Sequence, residues 1–386
     1  VNYAPAVSSN FVGVNSLVLV TGGAGFIGSH VVDTLVAAGN EVRVLDSLNP
    51  TAHSATPSYL NPGAEYLWGD VCDAATVRQA VDGVTHVCHQ ASMVGQGQGL
   101  CDIGSYVRHN DAGTATLLQA LAEEGFAGRF VLASSMVVYG EGLYRCARHG
   151  LMRPGPREHS ALARGQFDPV CPHCGGPLVA QPVSEDTAPQ PRSIYAATKL
   201  HQEHLCACFA RERRGASLVT LRYHNVYGPR MPRDTPYSGV AAIFRSSLAA
   251  KTAPTVFEDG QQLRDFIQVT DVARANLMAL TAPDEGSATF NVATGKPRTV
   301  GDLARVLCDV AGENAPRPVT SSQFRLADIR HIFASAKRIQ AELGFASRIQ
   351  LEQGIGEFAA APLRGEKQPG QTYKAQLTDA QLTSAA

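Results

Sequence analysis

The stretch Leu17-Val18-Leu19-Val20-Thr21-Gly22-Gly23-Ala24-Gly25-Phe26-Ile27-Gly28, followed by Glu41-Val42-Arg43-Val44-Leu45-Asp46, decides the fold. Leu17 to Val20 is a short apolar run ahead of a glycine turn, and Ser29 to Ala38 carries apolar residues at helical spacing that stop at Gly39. Glu41 to Leu45 is again strand-like and ends at Asp46. The order is strand, glycine turn, helix, strand, acid. Gly22, Gly25 and Gly28 stand at G-x-x-G-x-x-G spacing. Glycine allows the tight turn and lets backbone N–H groups at a helix start approach a pyrophosphate. A glycine triplet alone is weak evidence; between a strand and a helix, with an acid closing the next strand, it is the context of a dinucleotide site. Asp46 suits the adenosine ribose hydroxyls and would repel a 2′-phosphate, and no arginine follows it directly, so NAD is expected rather than NADP.

Working outward, the alternation continues. Val84 to His89 reads as a strand, Thr114 to Glu124 as a helix, Arg129 to Ala133 as a strand, Tyr195 to Arg213 as a long helix and Leu218 to Tyr223 as a strand. Repeated βα units predict a doubly wound parallel sheet of Rossmann type. Hydrophobic residues at 44% of 386 supply a sizeable core. Lysine plus arginine total 33 against 34 acids, so no charge excess points to nucleic acid or an anionic membrane. No apolar run is long enough to span a bilayer. The expected division is an extension over 1–16, a dinucleotide-binding domain over 17–230, a smaller, mainly substrate-binding lobe over 231–362 and a frayed tail over 363–386. Residues 1–16 lack the basic start and apolar stretch of a signal peptide, so a cytoplasmic location is the expectation.

Tyr195-Ala196-Ala197-Thr198-Lys199 puts a phenol and an ammonium on one helical face. A lysine beside a tyrosine lowers the phenol's pKa and fits it for proton transfer near neutral pH. Such a pair alone is equally a surface feature. Its weight comes from Ser134-Ser135, which follow the strand Arg129 to Ala133 and so stand at the carboxyl edge of a parallel sheet, where ligands bind. Ser135 could reach the same substrate oxygen as Tyr195. Asp70, in Gly69-Asp70-Val71, could accept from an adenine amino group or simply cap a turn.

With these in place, TGGAGFIG, Asn110-Asp111-Ala112-Gly113-Thr114, SSMVVYG, YAATK, LRYHNVYGPR and LRDFIQVTDVA together resemble the extended short-chain dehydrogenase/reductase family, in its NAD-dependent nucleotide-sugar epimerase/dehydratase branch. The likeness spans most of residues 17 to 350. It implies Ser135, Tyr195 and Lys199 as catalytic residues. It implies Phe26, Ile27, Val71, Ala91, Asn110, Tyr223 and Val226 near the cofactor, alongside the glycines, Asp46 and Asp70, with Asn110 resembling the family's structural asparagine. Tyr223, His224 and Asn225 would lie near the nicotinamide and the substrate diphosphate. Arg264, Arg325 and Asp328 resemble residues that hold a sugar nucleotide, and Thr255 and Phe257 would line its base. The chemistry agrees, since a diphosphate suits guanidinium forks and ribose hydroxyls suit a carboxylate. A homodimer is implied by the resemblance alone. Relatives that eliminate water or carbon dioxide carry acidic residues where this chain has Met136-Val137, neither of which can transfer a proton. The expected reaction is therefore epimerisation at C4 of a nucleoside-diphosphate sugar through a keto intermediate, with a sugar-nucleotide reductase, dehydrogenase or dehydratase as the alternative and a non-catalytic binder as a third.

Residues 140–192 break the rhythm. They are rich in Pro, Gly, Cys, His and Arg and show no period, which is unusual in a compact domain unless something staples the chain. Cys146-x-x-His149 and Cys171-Pro172-His173-Cys174-Gly175 form two knuckle-like pairs. A Cys3His set is a closed zinc site, and a structural zinc would supply the folding energy this stretch lacks. His149 is the expected fourth ligand, with His159 or His173 as substitutes. The insertion lies between Ser135 and Tyr195 and is expected to overhang the substrate mouth. The remaining cysteines, Cys72, Cys88, Cys101, Cys206, Cys208 and Cys308, read as core residues.

Overall fold

The computed structural model describes residues 16–53, 55–95, 100–232, 238–282, 286–326 and 328–362. The expected extension before Ser16 and the tail from residue 363 lie outside these. The chain opens with strand β1 (Leu17–Thr21), helix α1 (Phe26–Ala37), β2 (Glu41–Asp46), β3 (Ala64–Trp68), α2 (Ala74–Val81) and β4 (His86–His89). A short helix α3 (Ile103–Tyr106) runs through a π-helical turn, Val107–Ala112, into α4 (Gly113–Glu123), and β5 (Arg129–Ser135) follows. Val18, Leu19, Val20, Val131 and Leu132 are fully buried, as strands of a parallel sheet covered on both faces must be.

The stretch without sequence period is not structureless. Strands β6 (Leu143–Cys146), β7 (Gly150–Met152) and β8 (Val179–Gln181) form an antiparallel sheet in the order β7-β6-β8, with helix α5 (His159–Ala163) beside it. Strands of three or four residues are too short to display an alternating pattern. Its apolar centre is small and borrowed: Leu162 and Phe167 close on Phe324 from the far end of the chain.

Helix α6 (Ile194–Glu212) and β9 (Ser217–Tyr223) resume the large sheet. Then come β10 (Asn225–Tyr227), α7 (Val240–Ala249), β11 (Thr255–Val256), β12 (Leu263–Arg264), β13 (Phe266–Gln268), α8 (Val269–Leu280) and β14 (Ser287–Val292). The seven-stranded sheet runs β14-β9-β5-β4-β1-β2-β3, parallel throughout. The large sheet draws on residues from both sides of the expected boundary at residue 230. β14 and α8 belong to the dinucleotide-binding layer, where Val272, Ala275 and Phe290 share one core with Val18 and Val31. A second core, around Phe244, Phe266, Leu303 and Phe358, marks the smaller lobe. The strand order reverses between β1 and β4, and the crevice at such a switch point is where a doubly wound sheet binds ligand.

Candidate functional site

A cleft opens at that switch point. Its floor is the turn between β1 and α1. Gly22 takes φ +68, a conformation that disfavours side chains, and an added Cβ would meet the Ala91 backbone at 2.8 Å. A Cβ on Gly28 would fall 2.1 Å from the Gly22 carbonyl oxygen, so the first turn of α1 can press against the loop only as glycine. Asp46 is buried at the end of β2. Its carboxylate accepts from the Ala24 N–H at 2.9 Å and the Leu48 N–H at 2.9 Å, which fixes it beside the glycine turn. Helix α1 has no side-chain cap, leaving its first N–H groups for an anion.

Of the residues expected around a dinucleotide, Gly22, Gly25, Phe26, Ile27, Gly28 and Asp46 line the cleft. So do Asp70, Val71, Ala91 and Tyr223. Two do not. Val226, in β10, packs against the main core. Asn110 is fully buried in the π-helical turn and acts on its neighbours instead. Its side chain accepts from the Met93 N–H at 2.7 Å and donates to the Met93 carbonyl at 3.0 Å and to Thr198 Oγ1 at 3.0 Å. It thereby ties the loop after β4 to the helix that carries Tyr195.

That helix starts cleanly because Ser193 caps it, its hydroxyl accepting from the Ala196 N–H at 3.2 Å. Tyr195 and Lys199, one turn apart, both reach the cleft. Lys199 Nζ donates to the Ala133 carbonyl at 2.8 Å, and burial lowers its pKa to about 8. Burial pushes the Tyr195 phenol up, while its hydrogen bond with Ser135 pulls the other way. The two serines at the end of β5 separate by strand alternation. Ser134 donates to Glu203, which is itself locked to Arg222 by bonds of 2.9 and 2.7 Å. Ser135 stays with Tyr195, and its Oγ also accepts from the Val137 N–H at 3.4 Å. The cleft wall itself takes Ala133 and Ser134. Beyond it, Met136 and Val137 are buried in an apolar cluster with Ile329, Ile332 and part of Tyr195.

His89, which the sequence shows only as the end of a strand, is a residue that sequence reasoning misses. It is buried and bridges the site. Nδ1 lies 2.7 Å from Thr21 Oγ1 and Nε2 lies 2.9 Å from Thr114 Oγ1. Because the Thr114 hydroxyl donates to the Asn110 carbonyl, Nε2 carries the hydrogen and Nδ1 accepts. Gln90 was missed too. It lines the cleft and bonds Tyr223 Oη at 3.1 Å and Asn276 at 2.9 Å.

In the smaller lobe, Arg264 is half-buried and donates to the carbonyls of Leu263 at 2.8 Å, Arg330 at 3.0 Å and Ile329 at 2.6 Å. Asp328 lies close enough to bear on the charge of Arg264. The Arg325 guanidinium lies 5.1 Å from the Phe257 ring centre, and its Nε is buried without a hydrogen-bond partner. Asn225 Oδ1 is likewise buried and unpartnered. Thr255, expected at the base site, is exposed at the outer face of β11.

The insertion gathers Cys146, His149, Cys171 and Cys174, with all four ligand atoms within 4.8 Å of one another. His149 Nδ1 stands 3.5 Å from Cys146 Sγ and 3.4 Å from Cys171 Sγ, and Cys146 and Cys174 are 3.7 Å apart at sulfur. The alternatives turn away: the His159 ring sits edge-on to Phe324 at 5.4 Å, and the His173 ring lies beside His149. The second knuckle closes through Gly175 N–H to the Cys171 carbonyl and Cys171 N–H to the Gly176 carbonyl, each 2.8 Å. All nine cysteines are free. The expectation of six core cysteines needs correction. Cys88, Cys206 and Cys308 are buried, Cys72 is half-buried, and Cys101 and Cys208 are exposed. Cys206 and Cys208, two residues apart on α6, point to opposite sides of the helix.

Residues 18–161 and 170–293 match the NAD dependent epimerase/dehydratase family. The chain is 33% identical to the dTDP-L-rhamnose 4-epimerase of Burkholderia thailandensis, over 88% of its own length and 93% of that protein's. Its fold is similar to that of the UDP-glucose 4-epimerase of Thermotoga maritima solved with UDP-glucose, with a TM-score of 0.72 and 28% identity, covering 89% of this chain and 97% of that one. The Thermus thermophilus UDP-glucose 4-epimerase solved with NAD aligns at a TM-score of 0.70 and 28% identity, with the same coverage. From its glycine turn to the last strand of its large sheet, the chain belongs to the NAD-dependent epimerase/dehydratase family.

Proposed function

We propose that the protein inverts C4 of a nucleoside-diphosphate sugar. The observation that carries this is one cleft that brings together the glycine turn, Asp46, Lys199 and Tyr195, with Ser135 bonded to the Tyr195 phenol and the apolar Met136 and Val137 following Ser135 in the chain. The residues suit NAD: Gly22 and Gly28 leave room where any Cβ would collide, and Asp46 is held beside them. When bound, NAD supplies the acceptor and donor of the C4 hydride, and its oxidised ring adds a positive charge that favours the phenolate. Tyr195 Oη takes the C4 hydroxyl proton as the carbonyl forms, with Ser135 bonding the same oxygen. Lys199 follows Tyr195 by one helical turn in the same cleft, and an ammonium placed there favours the phenolate against the burial that opposes it. The keto sugar turns its other face and Tyr195 returns the proton. Arg264 and Arg325 hold the diphosphate meanwhile, and the unpartnered Nε of Arg325 is the donor such an anion would satisfy. Met136 and Val137 offer no group for a second proton transfer, which disfavours dehydration.

The test is incubation of the NAD-loaded protein with UDP-glucose and dTDP-rhamnose in D2O. A C4 epimer of unchanged mass, with no deuterium on carbon, is expected. Loss of water, or a net redox product, would overturn the reading. Tyr195→Phe should lower kcat about 100- to 10,000-fold with NAD still bound.

We further propose that Cys146, His149, Cys171 and Cys174 hold a structural zinc. A tetrahedral ion with Zn–S near 2.3 Å and Zn–N near 2.0 Å has edges of about 3.8 Å between sulfurs and about 3.5 Å from sulfur to nitrogen. The observed 3.7 Å between sulfurs and 3.5 and 3.4 Å from sulfur to nitrogen fit those edges, and 3.7 Å is far too long for a disulfide. With four protein ligands the site has no open position, so it folds the insertion and takes no part in the reaction. Elemental analysis of protein purified without chelator should give one zinc per chain; Cys171→Ser should lose it.

A further inference from the structure

The insertion is tied to the smaller lobe by buried charges. Its Arg157, 5% exposed, donates through Nη1 to Glu258 Oε1 at 2.6 Å. Through Nη2 it donates to the carbonyls of Asp328 at 2.7 Å and Arg325 at 3.3 Å. Asp168, also from the insertion, accepts from Arg330 Nε at 2.7 Å and lies 3.1 Å from His331 Nε2. Arg330 is fully buried and completes the network with Glu258 at 2.8 Å and Asp259 at 2.7 and 2.9 Å. Glu258 holds a left-handed φ of 56°, strain that a non-glycine residue keeps only where its surroundings demand it. That conformation sends its carboxylate between the two arginines, one residue after Phe257 meets the Arg325 guanidinium. A second contact is independent of charge. Phe324, 1% exposed, plugs into the insertion's own core against Leu162 and Phe167.

Arg325 is thus set from three sides by groups that the insertion supplies or fixes: its carbonyl by Arg157, the preceding side chain by Leu162 and Phe167, and its ring platform by the strained turn at Glu258. We propose that the insertion is a structural part of the sugar-nucleotide site, with Arg157 and Asp168 as positioning residues that set the Arg325 guanidinium for a nucleoside diphosphate. This rests on the reading above that Arg325 meets the diphosphate. Arg157 need not touch the ligand, since two of its donors end on backbone carbonyls and one on Glu258.

The experiment is calorimetric titration of the NAD-loaded protein with UDP and with dTDP, alongside steady-state kinetics, for wild type, Arg325→Ala, Arg157→Gln, Arg157→Lys and Asp168→Asn. Losing a buried, charge-assisted fork should weaken diphosphate binding about tenfold in Arg157→Gln. KM should rise with little change in kcat, and bound NAD should stay stoichiometric. Arg157→Lys, which keeps the charge for Glu258 but loses the fork, should fall between. Asp168, 65% exposed at its side chain, gives a variant that folds even if Arg157→Gln does not, and it should weaken binding in the same direction. If Arg325→Ala binds weakly while Arg157→Gln and Asp168→Asn bind like wild type, the insertion only glues itself in place and the proposal falls. If Arg325→Ala itself binds like wild type, the diphosphate reading falls and takes this proposal with it.

Discussion

Acidification from pH 7 to pH 5 should cost this protein about 4 kcal/mol of stability, most of it through three buried histidines. Burial lowers His30 to about 4 and both His89 and His224 to about 3. In the unfolded chain each titrates near 6.5. As pH falls below 6.5 the unfolded chain takes up protons that the folded one refuses, and stability drops by about 1.4 kcal/mol per unit for each histidine until its folded pKa is reached. Over these two units each loses about 2 kcal/mol, and together about 6 kcal/mol. Asp265 runs the other way. Burial raises it to about 6, so the folded state binds its proton first and regains roughly 1.5 kcal/mol over the same range. Urea melts followed by circular dichroism at the two pH values measure the difference. His89→Gln isolates one contribution, because an amide can still donate to Thr114 and accept from Thr21 without titrating. The variant should lose about 2 kcal/mol less than wild type on acidification. Equal losses in the two proteins would refute the assignment of His89 as a neutral bridge. Since His89 links the end of β1 to α4, and through Thr114 to Gln202 on α6, retained NAD should also fall over this interval.

Two more outcomes follow from contacts already described. Gly28→Ala should yield protein without bound NAD, read from its absorbance ratio, and with a lower melting temperature, because the new methyl group meets a backbone oxygen at 2.1 Å; a variant that keeps NAD would show that the turn relaxes. Glu203→Gln should destabilise by about 3 kcal/mol in urea, since it leaves the Arg222 guanidinium buried without its charge partner; a loss under about 1 kcal/mol would mean that water reaches the pair.

The parts legible in the sequence are those whose chemistry is local. Strand, glycine turn, helix and Asp46 all fall within thirty residues, and the spacing of three glycines has few other uses. Tyr195 and Lys199 share a turn of helix. The cysteine knuckles announce themselves for the same reason, and the cluster they form gathers His149 rather than His159 or His173. What the sequence hides is long-range. Arg157 and Glu258 are 101 residues apart, and Asp168 and Arg330 are 162 apart. Neither residue in either pair carries a mark that names its partner. The assignment of β14 to the large sheet was hidden similarly, because a long excursion through the smaller lobe separates it from β9.

Ser134 and Ser135 show how structure can decide between adjacent candidates of the same type. On a strand, neighbouring side chains face opposite sides, so only one hydroxyl can serve Tyr195. The other must be satisfied elsewhere, and Glu203 with Arg222 provides that partner inside the sheet–helix interface. Had the chain slipped by one residue at the end of β5, Ser135 would face the ion pair, and an apolar methionine would stand where the phenol needs a hydroxyl. The ion pair between α6 and β9 therefore acts as a register pin. By holding Ser134 it fixes which oxygen meets Tyr195, although neither Glu203 nor Arg222 lines the cleft. Glu203→Gln should for that reason lower kcat as well as stability, and a variant that melts early but turns over normally would limit the pair to packing.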